Sequence, residues 1–421
     1  MWYNPVHTAI RKKRIHMKPT FSPQQRRVLT LCVAMYTAAY VCRLNLSAAL
    51  SSVMEAMHLS MARGGMLQTL FAAIYASGQF VNGAIVDRVN PAKYMLLGLA
   101  GSAACNLAMG MCGSYPMMLV VWSLNAVFQS MLWTPVMRLL ALYFRDAGTR
   151  LRANETVAVM LIVGHFTAWA IAGFVSAVAD WRLSFIVPAA LALSVIAAMA
   201  KTIMTLDVHR QEKQIQTSMR QEKVLPMLMT TGFFLVITTC MLYGFIRDSV
   251  VTWTPTILAR ISGGDTVSSA ALTLILPAIN MAGVFLGFKL RRRGARPHGV
   301  VAIMMIAAIA CSAALLGQSG TLITAILLSL ICAAMYGANT MLTGLIPLEY
   351  DRVGRTSLTA GMIDSFIYAG SALSGVLAGS VYETLGPGML FASWMAAGLV
   401  SAVLMHISSR MSAAYFEKHN L

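Results

Sequence analysis

The sequence predicts an all-α membrane protein of twelve transmembrane helices in two six-helix halves. Three observations carry this. Only 11% of the residues are charged, against roughly 25% in soluble domains. Apolar stretches of about 20 residues, long enough to cross a bilayer core as helix, recur along the chain. A polar run, "DVHRQEKQIQTSMRQEK" from Asp207 to Lys223, divides six such stretches from six more. Backbone facing lipid must satisfy its own hydrogen bonds, so the spans are expected to be helices. The alternating ten-residue strands of a membrane barrel are not seen.

In order, residues 1–27 read as a cytoplasmic basic tail. The first half, 28–205, holds spans at 28–54, 64–86, 92–112, 116–143, 154–178 and 183–205. A cytoplasmic linker follows at 206–224, then a second half at 225–409. Its spans fall at 226–259, 267–288, 299–317, 320–347, 356–382 and 387–408, before a cytoplasmic tail at 410–421. With the N-terminus inside, external loops hold only Arg63, Arg182 and Arg260, and spans hold Arg43, Arg138 and Arg247. The other 26 of 32 Lys and Arg residues lie on the cytoplasmic side. That positive-inside bias predicts a multi-pass inner (plasma) membrane protein with both termini cytoplasmic. It also explains the net charge of +17 without nucleic acid. "RKKR", Arg11 to Arg14, reads as a topology signal or anionic-lipid contact. The first span serves as the targeting signal, since residues 1–20 lack a continuous apolar core. Seven cysteines in apolar surroundings, without CxxC spacing, read as packing residues. There is no P-loop, GxSxG, HExxH or clustered metal-ligand set, so no enzyme, cofactor or metal is expected. The expected partners are the bilayer and a small solute, bound by a monomer.

The halves repeat. An offset of 204 residues maps Arg43 onto Arg247 and "GAIVDR", Gly83 to Arg88, onto "GFKLRR", Gly287 to Arg292. "RDAGTR", Arg145 to Arg150, falls on "YDRVGR", Tyr350 to Arg355, within one residue. Two six-helix halves repeated in parallel mark the major facilitator architecture, with substrate between the halves near the midplane.

Polar groups inside the spans are the site candidates. Arg43, in "YVCRLNLS", lies roughly 22 Å along its span at about 1.5 Å per residue. A central Arg costs on the order of 2.5–3.5 kcal/mol. Arg247 repeats that cost in the other half, and the simplest partner for both is an anionic substrate. Gln79 and Tyr75, one turn apart, share a face of the second span. His165 lies near mid-depth of the fifth span, as a functional group or a packing histidine. Asp248 follows Arg247, but neighbours on a helix diverge by about 100° and are not expected to pair. Asp364, in the eleventh span, is expected to neutralise Arg247 or to carry a proton for coupling. Arg138, near a span end, reads as structural.

At these residues the sequence resembles the organophosphate:phosphate antiporters of the major facilitator superfamily. The resemblance rests on "YTAAYVCRLN" from Tyr36 to Asn45, "VDRVNP" from Val86 to Pro91 and "FQSMLWTPVMR" from Phe128 to Arg138. "RDSVVTWTPT" from Arg247 to Thr256 and "PLEYDRVGRTSLTAG" from Pro347 to Gly361 add to it. It implies a secondary carrier that exchanges a phosphate ester for inorganic phosphate by alternating access. It implies Arg43 and Arg247 as the anion-binding arginines and His165 as a substrate-site histidine. Tyr36, Tyr40, Tyr75, Tyr336 and Tyr368 match the aromatics around the family's site. Two positions depart: Gln79 stands for a lysine, and Thr252 for an acid, of the glycerol-phosphate carriers. Gln79 drops one positive charge, which favours a monoanion. "RLNLSAAL" is also similar to the anion:cation symporters, which carry sugar acids with protons, although Cys42 stands where they have an acid. Some relatives are sensors that bind a sugar phosphate and signal to a kinase partner, and the same residues fit that alternative.

Overall fold

The computed structural model describes residues 21–178, 180–206, 208, 224–261, 276–317 and 320–419. The basic tail through residue 20, most of the central linker and the start of the eighth span lie outside the described residues.

Helix α1 (Pro23–Ala56) starts earlier than expected. Ser22 and Gln25 form a reciprocal capping box, and Pro23 opens the first turn with its φ already set. Helices α2 (Met61–Val86) and α3 (Pro91–Gly110) follow. Asn90 caps α3 by accepting from the backbone N–H groups of Ala92 and Lys93, so the "VDRVNP" loop is also a helix start. The fourth span, expected to be continuous, is two helices, α4 (Tyr115–Ser130) and α5 (Trp133–Tyr143). Pro135 accounts for the break: it has no N–H to give the Met131 carbonyl, and its ring crowds that carbonyl. Helices α6 (Ala147–Val178) and α7 (Leu183–Thr205) complete the first half.

The seventh span is likewise divided, into α8 (Val224–Thr230) and α9 (Phe233–Ile261). Helices α10 (Leu276–Arg292) and α11 (Pro297–Leu315) follow. The tenth span begins as α12 (Thr321–Asn339), widens into a π-helical turn at Thr340–Leu345, and ends in the short α13 (Ile346–Glu349). Helices α14 (Thr356–Leu385) and α15 (Pro387–Lys418) close the chain, α15 running past the expected membrane exit. By length and composition, eight helical stretches among the described residues can cross a membrane. All seven cysteines are free thiols, and six are buried.

The repeat extends to packing. In the first half α1 packs on α6 and α7, α3 on α7 and α4, and α2 on α4. In the second, α9 packs on α14 and α15, α11 on α15 and α12, and α10 on α12. The halves meet along α2 and α14. The approach is close because two glycines face each other: a Cβ on Gly361 would lie 2.8 Å from the Gly83 Cα and strike the Gln79 carbonyl. Small residues let transmembrane backbones approach in this way.

Ion pairs close the basic-loop end. Arg150 Nη2 donates to Asp351 Oδ2 at 2.7 Å, and Nη1 donates to the Leu348 carbonyl at 3.2 Å. Arg292 Nη1 donates to both Glu155 oxygens at 2.7 Å. Arg138 faces Asp87 at 3.8 Å beside this seam, in keeping with its structural reading.

Candidate functional site

The α1 backbone around Arg43 is pinned from behind. Gln129, on α4, donates to the Ala39 carbonyl at 2.9 Å and to Ser102 Oγ at 2.8 Å. Asn106 and Asn125 both donate to the Cys42 carbonyl, at 2.9 and 3.2 Å. Asn45 donates to Asn106 Oδ1 at 2.7 Å and to the Ser184 carbonyl at 3.0 Å. These carbonyls flank Arg43, so the network fixes where its side chain leaves the helix. Sequence reasoning missed it as a unit. The signal was present in "FQSMLWTPVMR" and "RLN", whose amide residues only gain a role once α1, α3 and α4 meet.

The Arg43 guanidinium sits in an aromatic cage. Its Cζ lies 4.2 Å from the Tyr75 ring centre, 5.1 Å from Tyr368, 5.6 Å from Phe71 and 6.0 Å from Tyr40. Among the described residues it has no carboxylate within ion-pair distance. Ring faces attract a cation without neutralising it, so the guanidinium keeps its charge and its fork of donors. Tyr75 is on α2 and Tyr368 on α14, with ring centres 4.7 Å apart, so the cage spans both halves. Tyr36 packs edge-on to Tyr40 at 5.2 Å and against Trp133 at 5.1 Å.

Gln79 is fully buried and donates to the Tyr75 hydroxyl at 2.6 Å, while its Oε1 has no partner among the described residues. It touches the Arg43 cage through the Tyr75 hydroxyl. The Tyr75 hydroxyl in turn donates to Asp364 Oδ2 at 3.4 Å. Asp364 makes no ion pair within 4.0 Å among the described residues, although the fields of Arg43 and Arg247 both reach it. The expectation that it pairs directly with Arg247 is therefore corrected.

Arg247 pairs with its own neighbour instead. Its Nε faces Asp248 Oδ1, Nη2 donates to Asp248 Oδ2 at 3.1 Å, and Nη2 also reaches Ser371 Oγ at 3.1 Å. The 100° divergence was a poor guide because it describes where side chains leave the helix. A guanidinium on a three-carbon arm can fold back to a carboxylate one position on. Pairing is favoured because the alternative is an uncompensated charge away from water. The Tyr243 ring lies 5.5 Å from the Arg247 Cζ. Thr252 is exposed on α9. His165 falls on α6, but its side chain lies outside the described residues.

Tyr336 and Tyr40 line a cavity between the halves, with Trp133 and Asn154 from the first half and Asn339, Thr340, Thr343 and Gly344 from the second.

The profile of the Major Facilitator Superfamily matches residues 29–375. The chain belongs to this superfamily. A probable hexose phosphate transport protein of Chlamydia trachomatis is 22% identical, over 91% of each chain. The glycerol-3-phosphate transporter of Bacillus subtilis is 25% identical, over 83% of this chain and 84% of that one. The membrane sensor protein UhpC of Escherichia coli is 28% identical, over 30% of this chain and 28% of its own. A crystal structure of the transporter FucP in the outward conformation superposes with a TM-score of 0.68 at 15% identity, covering 91% of this chain and 98% of that one. That likeness concerns the fold. These names agree with the organophosphate:phosphate antiporter resemblance. This member of the Major Facilitator Superfamily is a secondary transporter, an integral membrane protein acting on a small molecule in a lipid environment.

Proposed function

We propose that the protein exchanges a small organic anion, a phosphate ester, for inorganic phosphate by alternating access. The observation that carries this reading is Arg43, a caged guanidinium between the halves with no carboxylate of its own. Hexose phosphate and glycerol-3-phosphate stand in the names of two relatives that match most of the chain. In this reading Arg43 receives the anion first. Arg247 joins it by exchanging Asp248 and Ser371 for substrate oxygens. The planar fork suits tetrahedral oxyanions in pairs of hydrogen bonds. An anion held by residues of both halves draws them together and lowers the barrier to rocking. Without an anion, Arg247 returns to Asp248 while Arg43 keeps a charge with no carboxylate in ion-pair distance among the described residues at low dielectric, so the return stroke also needs one. The basic loops are taken as cytoplasmic, in an inner membrane, so closure by Arg150 and Arg292 corresponds to an outward-facing state.

One observation favours a second reading. Asp248 and Asp364 stand near the two arginines and offset both positive charges on paper. A proton on Asp364 would accompany each anion in a sugar-acid/proton symporter.

Vesicles loaded with phosphate, with and without a pH gradient, separate the readings. Exchange that needs internal phosphate and ignores the gradient supports antiport. Uptake that needs the gradient and no internal anion overturns antiport for symport. Tight binding without flux overturns both for a sensor.

A further inference from the structure

The outer part of the first half has a buried core of its own, drawn from α1, α2, α3, α4 and α7, with Tyr368 of α14 packed against it. Trp122 of α4 belongs to this core and is 1% exposed. Its ring centre lies 5.6 Å from that of Phe71 on α2 and 5.8 Å from that of Phe185 on α7, edge-on to the latter. The indole therefore bridges α7 and α2.

Its N–H is unused: Trp122 Nε1 has no hydrogen-bond partner among the described residues. Trp394, the other indole among the largest fully buried side chains, donates to Ser249 Oγ at 2.8 Å. A buried donor left unpaired is costly, and a phenylalanine or leucine would pack this core without that cost. What the indole adds is reach, two fused rings that touch both neighbours at once.

That reach leads to Phe71. The Phe71 ring stacks on Tyr75, with centres 6.0 Å apart and planes 13° apart. Both rings border the Arg43 guanidinium, whose Cζ lies 5.6 Å from the Phe71 centre and 4.2 Å from the Tyr75 centre. The attraction between a cation and a ring depends on where the ring stands.

Trp122 also shares a face of α4 with the residues that hold the other end of Arg43. Trp122, Asn125 and Gln129 follow at spacings of three and four, so they stack along one side of the helix. Asn125 donates to the Cys42 carbonyl at 3.2 Å, and Gln129 donates to the Ala39 carbonyl at 2.9 Å. One face of α4 thus sets the backbone root of Arg43 through two amides and a ring at its head through Phe71.

We infer that Trp122 is a positioning residue for Arg43, holding Phe71 so that the guanidinium stands ready for the anion. The inference rests on the reading that Arg43 binds the transported anion. The effect passes from Trp122 to Phe71 and from Phe71 to the guanidinium.

The test measures inorganic phosphate binding by titration calorimetry, with thermal stability alongside, on purified full-length protein. Trp122→Phe shortens the ring and withdraws it from Phe71. It is expected to weaken phosphate binding by roughly three- to tenfold, the scale of one cation–ring contact. Phe71→Leu is expected to weaken it by a similar factor. Because the two act in series, adding Trp122→Phe to Phe71→Leu should weaken binding by less than about twofold more. Trp181 packs on the far neighbour, Phe185, with ring centres 6.0 Å apart. Trp181→Phe disturbs the same core and should leave phosphate affinity within about twofold of wild type. If Trp122→Phe does not fold, Trp122→Tyr is read on the same terms. Unchanged affinity in a folded Trp122 variant, additive losses in the double variant or an equal loss in Trp181→Phe would overturn the inference. So would the failure of both Trp122 variants to fold, which would make the indole a packing residue. A wild type that binds no phosphate would overturn the anion reading itself, whereas each of the other results leaves that reading standing.

Discussion

Arg43 and Arg247 occupy equivalent places in the repeat but keep different company. Arg43 faces rings and Arg247 faces a carboxylate, so the same residue type does two jobs. A planar guanidinium stacks on rings and forks onto an oxyanion, and a lysine ammonium does neither as well. Arg43→Lys is expected to cut exchange at least tenfold while the protein still reaches the membrane, measured by counterflow alongside protein level. Near-normal exchange would remove Arg43 from the site. Asp248 competes with any anion for Arg247. Asp248→Asn is therefore expected to tighten phosphate binding by about tenfold, the scale of one charge-assisted hydrogen bond. Titration calorimetry reads this directly, and unchanged or weaker binding would mean that Arg247 does not reach the substrate. At this scale the sequence was legible in part. The buried arginines stood out because apolar neighbours make a charge conspicuous. The pairing of Arg247 with Asp248 did not, because it depends on how a long side chain bends. Spacing places Gln79 on the Tyr75 face of α2, open to a substrate contact or a helix–helix hydrogen bond, and in the structure it donates to the Tyr75 hydroxyl one turn back.

Among the elements, all twelve expected spans have a helix, because a long apolar run has few other ways to hide its backbone. The breaks were less legible. Pro135 explains the division of the fourth span after the fact, yet a proline in a membrane helix often only bends it. The π turn at Thr340–Leu345 has no sequence mark known to us. The amide network behind Arg43 depends on three helices meeting, and its worth lies in position more than in stability. Gln129→Leu removes the donor to the Ala39 carbonyl while filling the same space. We expect it to lower thermal stability modestly, by about 1–3 kcal/mol for the buried groups left unpaired. We also expect phosphate affinity to fall several-fold as Arg43 shifts. A destabilised variant with unchanged affinity would show that the network holds the fold and not the arginine.

For the whole molecule, two cross-half ion pairs of unequal character stand at the basic-loop end among the described residues. Arg150 and Asp351 are mostly buried, and Arg150 also serves the Phe144 and Leu348 carbonyls. Arg292 is half exposed, and exposed pairs contribute about 0–1 kcal/mol and weaken with salt. Asp351→Asn is expected to spread the ends of α6 and α14, seen as longer spin-label distances across that seam. Glu155→Gln should leave those distances near wild type. The reverse order would place the closing force at the surface.

The amide pins of the first half have a mechanical consequence. The offset that joins Arg43 to Arg247 also sets Asn45 against Ser249, Asn125 against Ser329 and Gln129 against Ala333. Where the first half is bolted by amides, the second has small residues, and Gly283 lies backbone to backbone on Ala333. Two bodies of unequal stiffness do not share a rocking stroke evenly. In the proposed rocking, the first half would serve as the frame, and the second, tied across α9 and α15 by the Trp394 indole on Ser249, would yield along α10 and α12 like a bearing. Amide hydrogens of α10 and α12 should then exchange with deuterium sooner than those of α3 and α4, and anion binding should slow the second half more than the first.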